Sequence, residues 1–363
     1  MTASAVHQRV ASRSAVAAAR DEFDAEVTYL NTATLGLPPR RSWQALQAAQ
    51  AQWREGSADP VGYDVPLRLA RASYARLVGV EPSCVAVGSQ VSVFAGLVAA
   101  SLPDGSEVLT ADGDFTSILF PFHAQARRHV TVRQVPLKRI ADAVRTSTAL
   151  VCVSAVQSSN GQLADLVALR AACRATGARV LLDTTQAVGW LPINAADFAY
   201  TVCAGYKWLL APRGTAYFTV RPELMDALIP HSAGWYAGER PWESIYGAPL
   251  RLASDARRFD VSPVWHSWIA AAPALELLAG LGSAALHDHC VGLANRFRAG
   301  AGLPAGNSAI VSLAGTDDAA AVMQEAGVVG SVRAGRLRLA FHLCNDERDA
   351  DRAVEVLVDH ILR

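Results

Sequence analysis

The sequence reads RVLLDTTQAVGWLPINAADFAYTVCAGYKW over residues 179–208. Two apolar runs in this stretch, Arg179–Leu182 and Tyr200–Ala204, have the length and side-chain content of buried strands. The first run is followed at once by a carboxylate, Asp183, and the second is followed three positions later by an amine, Lys207. If the two strands are parallel neighbours, their carboxyl ends meet at one edge of a sheet and bring both groups there.

Further apolar runs of the same kind occur on both sides of this stretch. They are Cys84–Val87, Glu107–Thr110, Val130–Val135, Ala149–Val153 and Gly214–Val220. Alanine-rich segments with helical periodicity, such as Val91–Ala100 and Leu163–Thr176, separate several of them. This alternation predicts an α/β fold whose mainly parallel, seven-stranded sheet is covered by helices on both faces.

The pattern changes after Gly247, where the chain becomes rich in arginine, tryptophan and proline. A long helix, two short strands (Ile310–Leu313 and Arg336–Phe341) and a final helix (Asp346–Leu362) are predicted beyond it. We therefore expect a large domain over residues 36–250 and a smaller α+β domain over 251–363. Residues 1–35 are predicted to form an N-terminal arm that packs with the small domain.

Composition excludes several classes of protein. The 33 basic residues balance the 33 acidic ones, so the chain has no overall attraction for nucleic acid or anionic membranes. No apolar run has the length of a membrane span, and residues 1–20 lack the apolar core of a secretory signal. The six cysteines include no C-x-x-C pair, which predicts a reducing, cytoplasmic location and no zinc ribbon. His287 and His289 are two positions apart and point to different faces of a helix, so no metal site is predicted there.

Lysine occurs at only two positions, Lys138 and Lys207. An amine at a strand end that faces a cleft is the group that forms a Schiff base with an aldehyde cofactor. A surface lysine on a loop is the alternative interpretation. Asp183 alone is compatible with a helix cap, but together with Lys207 it suggests the carboxylate that pyridoxal 5′-phosphate (PLP) needs beside its pyridine nitrogen. Gln186 is placed to reach the ring hydroxyl.

A phosphate site and a stacking ring are also predicted from the sequence. Gly88-Ser89-Gln90-Val91 follows one strand and opens an alanine-rich helix, whose first N–H groups suit a phosphate dianion. Phe115 follows the next strand and an acidic turn, and it can stack on a planar ring. A core phenylalanine and an ordinary helix start would have the same sequence pattern.

The order of these motifs resembles the class V aminotransferase family of PLP enzymes. The resemblance extends from Tyr29-Leu-Asn-Thr-Ala33 to Arg338-Leu-Ala-Phe-His342 and includes Ser-x-x-Gln-x-x-x-Gly and Tyr-Lys-Trp. It implies fold type I, the aspartate aminotransferase-like fold, with Lys207 as the Schiff-base lysine and Asp183 at the pyridinium nitrogen. Further residues are implied to line the ring (Ser154, Gln157, Gln186), to stack on it (Phe115) or to hold the phosphate (Ser89, Gln90, Tyr206).

The same resemblance implies a homodimer that takes a small amino-acid substrate. Trp235 and Ser262 correspond to positions that reach the phosphate site of the partner subunit. Ala33 and Arg338 correspond to the substrate-binding positions, and a guanidinium is well suited to an α-carboxylate. Arg333 and Arg336 are close competitors of Arg338, and His342 either approaches the substrate or is an ordinary, hydrogen-bonded histidine.

Within the family, the phrases Asn31-Thr-Ala-Thr-Leu-Gly-Leu-Pro-Pro39 and Arg258-Phe-Asp-Val-Ser262-Pro resemble the ergothioneine-biosynthetic C–S lyases, EgtE. That resemblance implies β-elimination from hercynylcysteine sulfoxide. The stretch where cysteine desulfurases carry a nucleophilic cysteine, about residues 319–336, contains none. Kynureninases have histidine at the position of Gln186. An aminotransferase or an isopenicillin-epimerase-like enzyme is the alternative.

The two lysines allow a direct comparison. Lys207→Ala should abolish the visible absorbance of bound PLP, because the Schiff base cannot form without the amine. Lys138→Arg should leave both absorbance and activity intact. An absorption spectrum of each purified variant with added PLP measures this, and a full visible band in Lys207→Ala would contradict the assignment.

Overall fold

The computed structural model describes residues 14–362, and residues 1–13 of the predicted arm lie outside this range. The strands are β1 (Thr28–Tyr29), β2 (Val85–Gly88), β3 (Glu107–Ala111), β4 (Thr131–Val135), β5 (Thr148–Ser154), β6 (Arg179–Asp183), β7 (Tyr200–Ala204), β8 (Ala216–Val220), β9 (Ile310–Leu313), β10 (Val328–Val329), β11 (Ser331–Arg333) and β12 (Arg336–Ala340). The α-helices are α1 (Arg40–Glu55), α2 (Asp64–Val78), α3 (Val91–Ala100), α4 (Thr116–His123), α5 (Leu166–Thr176), α6 (Trp265–Leu281), α7 (Ser283–Gly300), α8 (Ala319–Glu325) and α9 (Glu347–Leu357).

The seven predicted strands form one sheet in the order β2-β8-β7-β6-β5-β3-β4. All neighbours are parallel except β8, which runs antiparallel to both β2 and β7. Successive residues of β5 enter different apolar cores: Leu150 and Cys152 one core, Val151 and Val153 the other. The sheet is therefore covered on both faces, and the predicted α/β fold is confirmed.

Local sequence explains where the covering helices begin and end. In α5, the Asp165 side chain accepts a hydrogen bond from Ala168 N, and Gly177 ends the helix in the left-handed conformation. Helix α3 has no side-chain cap at its start, where Gln90 is extended, so its first N–H groups have no side-chain partner. This uncapped start lies directly after β2, at the carboxyl end of the strand.

The C-terminal part forms a smaller antiparallel sheet in the order β11-β12-β9, with its own apolar core. Helix α9 starts with a capping box in which Asp346 and Asp349 exchange hydrogen bonds with each other's backbone. The N-terminal segment joins this part, because β1 pairs in parallel with β10 and Arg20 forms a 2.9 Å ion pair with Asp346. Helix α6, which was predicted to belong to the small domain, packs against α1 and α2 of the predicted large domain. The domain boundaries therefore stay a prediction.

A buried ion pair fixes the segment after residue 255 against the large sheet. Arg71 and Asp260 are 2.6 Å apart, and Asp260 also accepts a hydrogen bond from Val87 N at 2.8 Å. Loss of one partner of such a pair costs about 3–5 kcal/mol, because the other charge stays buried. The pair therefore holds residues 260–262 beside the end of β2.

The described residues contain no single helix that is long and apolar enough to cross a membrane. Helices α6 and α7 pass that test only when taken together, by length and composition, and they meet at an 88° bend.

Candidate active site

A cavity of about 300 Å³ lies at the carboxyl ends of the parallel strands. Its lining residues are Ser89, Gln90, Val91, Phe115, Ser117, Ser154, Ser158, Asp183, Thr185, Gln186, Ala204, Tyr206, Lys207, Arg213 and Gly214. A larger and more open cleft, of about 620 Å³, lies between the N-terminal segment and α9. Several of its charged residues already pair with each other, as Arg20 does with Asp346, so the smaller cavity is the better candidate.

The predicted pair Lys207 and Asp183 lies in this cavity, and each side chain is only 5% exposed. Burial lowers the pKa of Lys207 to about 8, against the opposing effect of the Asp183 charge. Burial also raises the pKa of Asp183 to about 6, although Thr185 N donates to its Oδ1 at 2.8 Å. Among the described residues, Asp183 forms no salt bridge, so a buried carboxylate faces the cavity without a cation at ion-pair distance.

Close backbone contacts fix the position of the lysine loop. Gly36 N donates to Tyr206 O at 2.9 Å, and a Cβ at Gly36 would lie 2.1 Å from Lys207 O. On the other side, a Cβ at Gly189 (φ +116°) would lie 2.3 Å from Trp208 O. No other residue type fits either position without a backbone shift, so the two glycines hold Lys207 at the strand end.

His342 supports the same loop and does not line the cavity. Its ring is fully buried, and Nε2 lies 2.9 Å from Trp208 O. Because a carbonyl only accepts, Nε2 carries the proton and Nδ1 faces the Cys290 thiol at 3.6 Å. Burial lowers the pKa of His342 to about 4. The structure therefore supports an ordinary, hydrogen-bonded histidine at position 342 and not one that approaches the substrate, and its ring is fully buried.

The three residues predicted to hold the phosphate all line the cavity. Ser89 and Gln90 lead into the uncapped start of α3, and Tyr206 belongs to the lysine loop. Arg213, which the sequence interpretation did not single out, also lines the cavity, and its guanidinium stacks 4.6 Å from the centroid of the Tyr206 ring. Phe115 lies beside the amine, with its ring centroid 5.2 Å from Lys207 Nζ.

Asp114 organises one wall of the cavity and was missed as a functional candidate. This buried carboxylate accepts hydrogen bonds from Ser154 N, Ser154 Oγ and Gln157 Nε2. Ser154 thereby lines the cavity, whereas the Gln157 amide is turned onto Asp114 and is not among the lining residues. Ser158, the next residue, does line the cavity, and the contact of Gln157 with the ring stays a prediction.

Gln186 lines the cavity, but its side chain is already bonded to the protein. Its Oε1 accepts from Trp208 Nε1 at 2.7 Å, and its Nε2 donates to Ala33 O at 3.0 Å and to Ser158 Oγ at 3.1 Å. Trp208 is only a donor and Ala33 O only an acceptor, so the orientation of the amide is fixed. The role of Gln186 at the ring hydroxyl stays a prediction.

Arg338 is buried behind Ser158, with neutral partners only. It donates to Ser158 O, to Thr34 Oγ1 at 2.6 Å and to Ser331 Oγ at 3.2 Å. Burial, aided by the charge of Arg333, lowers its pKa to about 10. A buried guanidinium without a carboxylate partner among the described residues favours an anionic ligand. Its competitor Arg336 is exposed and donates to Ser312.

Trp235 and Ser262 are not among the residues that line this cavity. Trp235 packs against Trp242, with ring centroids 5.0 Å apart, and Ser262 is exposed next to the segment that Asp260 holds against β2. Their contact with the phosphate site of a partner subunit stays a prediction.

The donor set of the cavity fits PLP. It combines a buried amine for the aldehyde, a buried carboxylate for the pyridine nitrogen and an aromatic ring for stacking. The uncapped helix start supplies N–H groups for the phosphate. All four features lie around one cavity.

Comparison with known proteins agrees with this assignment. Residues 72–300 match the family described as Aminotransferase class-V. The chain is 32% identical over 232 residues to an uncharacterized aminotransferase, YcbU, of Bacillus subtilis, covering 61% of this chain and 60% of that protein. It is 28% identical to isopenicillin N epimerase of Streptomyces clavuligerus, covering 73% and 72% of the two chains. The solved structure of the cystine C–S lyase C-DES in complex with cysteine persulfide has a TM-score of 0.82 at 21% identity, over 93% and 98% of the two chains.

The amine and the carboxylate should titrate as a coupled pair in the cofactor-free protein. Only a neutral amine is acylated, so labelling of Lys207 by acetic anhydride should rise as the pH passes through about 8. In Asp183→Asn the midpoint should move to lower pH, because the lost negative charge favoured the protonated amine. Mass spectrometry of the peptide that contains Lys207 measures the labelling, and an unchanged midpoint would show that the two groups do not interact.

Proposed function

The chain belongs to the class-V aminotransferase family and its cofactor is PLP, and we propose that it acts as a C–S lyase on a cysteine-sulfoxide-type amino acid. The proposed substrate is hercynylcysteine sulfoxide, and the products are ergothioneine, after reduction of the released sulfenate, with pyruvate and ammonia. One observation carries the proposal: Lys207 is the only amine that lines the cavity, and burial keeps part of it neutral near pH 8. Elimination needs only one base at the substrate Cα, whereas epimerisation is most simply carried out with a second base on the opposite side.

Each residue of the cavity has a separate task in this proposal. PLP supplies the electron sink at the substrate Cα. Arg338 and Ser158 bind the α-carboxylate, and the neutral Lys207 Nζ removes the proton from Cα. Asp183 holds a proton on the pyridine nitrogen, and its buried position keeps water from competing for that proton. The Cβ–S bond then breaks, and the three-carbon remainder hydrolyses to pyruvate and ammonia.

Persulfide chemistry of the desulfurase type is disfavoured by the position of the thiols. No cysteine is among the residues that line the cavity. Cys344 follows β12, and burial raises the pKa of its thiol to about 12, so it does not supply a thiolate near neutral pH.

We place the protein in the cytoplasm, since the six cysteines are all unpaired thiols.

An aminotransferase or epimerase acting on another α-amino acid is the second candidate, supported by the likeness to isopenicillin N epimerase. It would use the same amine, carboxylate and arginine, and epimerisation would in addition use a base on the side of Cα opposite Lys207.

Product analysis separates the candidates. Incubation of the holoenzyme with hercynylcysteine sulfoxide and a reductant should yield ergothioneine and pyruvate in equal amounts. Mass spectrometry and a lactate dehydrogenase assay measure the two products, and Lys207→Ala serves as the control. A new amino acid formed from an added keto acid would indicate transamination, and inversion at Cα without pyruvate would indicate an epimerase; either result would rule out the lyase.

We also propose that the enzyme is a homodimer in which Ser262 and Trp235 complete the partner's phosphate site. Ser262→Trp should then inactivate the neighbouring site by steric block. Mixing Lys207→Ala with Ser262→Trp chains, after unfolding and refolding together, should restore activity, since one site of each hybrid has both residues intact. Light scattering should give twice the mass of one chain. Hybrids that stay inactive would show that Ser262 does not act across the interface.

A further inference from the structure

Two arginines of the small sheet converge on one oxygen atom. Thr34 Oγ1 accepts a hydrogen bond from Arg338 Nη2 at 2.6 Å and another from Arg333 Nη2 at 3.2 Å. We propose that Arg333 is a specificity-determining residue that binds a second anionic group, on the side chain of the substrate, while Arg338 binds the α-carboxylate. The inference rests on the proposed function for its substrate class, a cysteine conjugate whose sulfur substituent carries a carboxylate.

The first argument is charge. Neither arginine has a carboxylate partner among the residues that the structure describes. Arg333 donates only to Thr34 and to the carbonyl of its neighbour Val332. Burial is the main cause of the lowered pKa of Arg338, and repulsion from the Arg333 charge lowers it further. Two cations held around one neutral hydroxyl are an arrangement that a bound dianion would stabilise.

The second argument is position in the hairpin. Arg333 of β11 pairs directly with Arg336 of β12, and like charges at directly opposed positions destabilise a sheet. Arg336 is accounted for by its hydrogen bonds to Ser312 of the neighbouring strand. Arg333 has no comparable partner in the small sheet, and its only side-chain partner among the described residues is Thr34, beside Arg338.

The third argument is exposure, which gives the two arginines different tasks. Arg338 is 2% exposed and contacts Ser158 in the cavity wall, next to the amine. Arg333 is exposed, yet its charge still contributes to lowering the pKa of Lys207. The buried arginine therefore suits the carboxylate on Cα, and the exposed one suits a carboxylate farther along the same molecule. Hercynylcysteine sulfoxide carries such a second carboxylate on its imidazole-bearing part.

Binding of matched ligands to the holoenzyme tests the inference. S-(2-carboxyethyl)-L-cysteine and S-(2-carbamoylethyl)-L-cysteine have the same shape and differ in one charge. Their dissociation constants follow from the change in the absorbance of bound PLP during titration. The wild type should bind the carboxylate about tenfold more tightly than the amide, as expected for a charge-assisted pair.

Arg333→Met should reduce that preference to less than about twofold, the ratio expected once the charge-assisted pair is lost. Arg333→Lys should keep part of the preference, because the charge remains. The matched control is Arg336→Met, which removes the opposing arginine of the same hairpin and should leave the preference unchanged. Two results would overturn the inference: a wild type that does not distinguish the ligands, or an Arg333→Met variant that still does.

The readout is independent of turnover, so the two proposals can fail separately. If the ligand preference follows Arg333 but no pyruvate forms from hercynylcysteine sulfoxide, the lyase assignment is wrong and the carboxylate site stands. If pyruvate forms and Arg333→Met leaves the ligand preference intact, the lyase assignment stands and the role of Arg333 is wrong.

Discussion

Lys207 and Asp183 have both lost nearly all of their water, and neither is neutralised at ion-pair distance by the residues that the structure describes. Burial of an amine and a carboxylate without full compensation costs free energy and moves both pKa values toward neutrality. The fold must supply that energy elsewhere. It does so with a large parallel sheet buried on both faces, whose strand ends hold the two groups at one edge. The same cost explains why a cofactor with a protonated ring nitrogen and an aldehyde suits the cavity, since it supplies a partner to each group.

The strands of the large sheet could be predicted from the sequence because each one is encoded by a short run of neighbouring residues. Each strand is a short apolar run, α-helices separate several of these runs, and each of the seven runs became a strand with ends displaced by at most two residues. Asp183, Ser89 and Lys207 were predictable for the same reason, as each lies within three positions of the end of such a run. The contacts of Asp114 were not predictable, because they join positions 40 and 43 residues apart. Nor was the presence of Ser158 in the cavity wall, since side-chain direction no longer follows period two once β5 has ended.

The choice among Arg333, Arg336 and Arg338 shows where residue type stops being informative. Three arginines within six positions have the same chemistry in the sequence, and the hairpin gives each a different environment. Arg338 is buried against the cavity wall, and Arg336 donates to Ser312 of a neighbouring strand. Arg333 shares the hydroxyl of Thr34 with Arg338. Burial and partners, which depend on distant residues such as Thr34 and Ser158, distinguish them.

The segment Asn31–Gly36 connects these features, although most of it has no regular secondary structure. Thr34 Oγ1 accepts hydrogen bonds from Arg338 and Arg333, and Ala33 O accepts one from the amide of Gln186. Gly36 packs against the backbone of Lys207. Arg338, the wall of the cavity and Lys207 therefore contact one short segment, which itself bridges to β12 through Asn31. A shift of this segment would move all three together, because its close contacts leave little room for independent adjustment. The contacts of this one segment therefore set the spacing between Arg338 and Lys207.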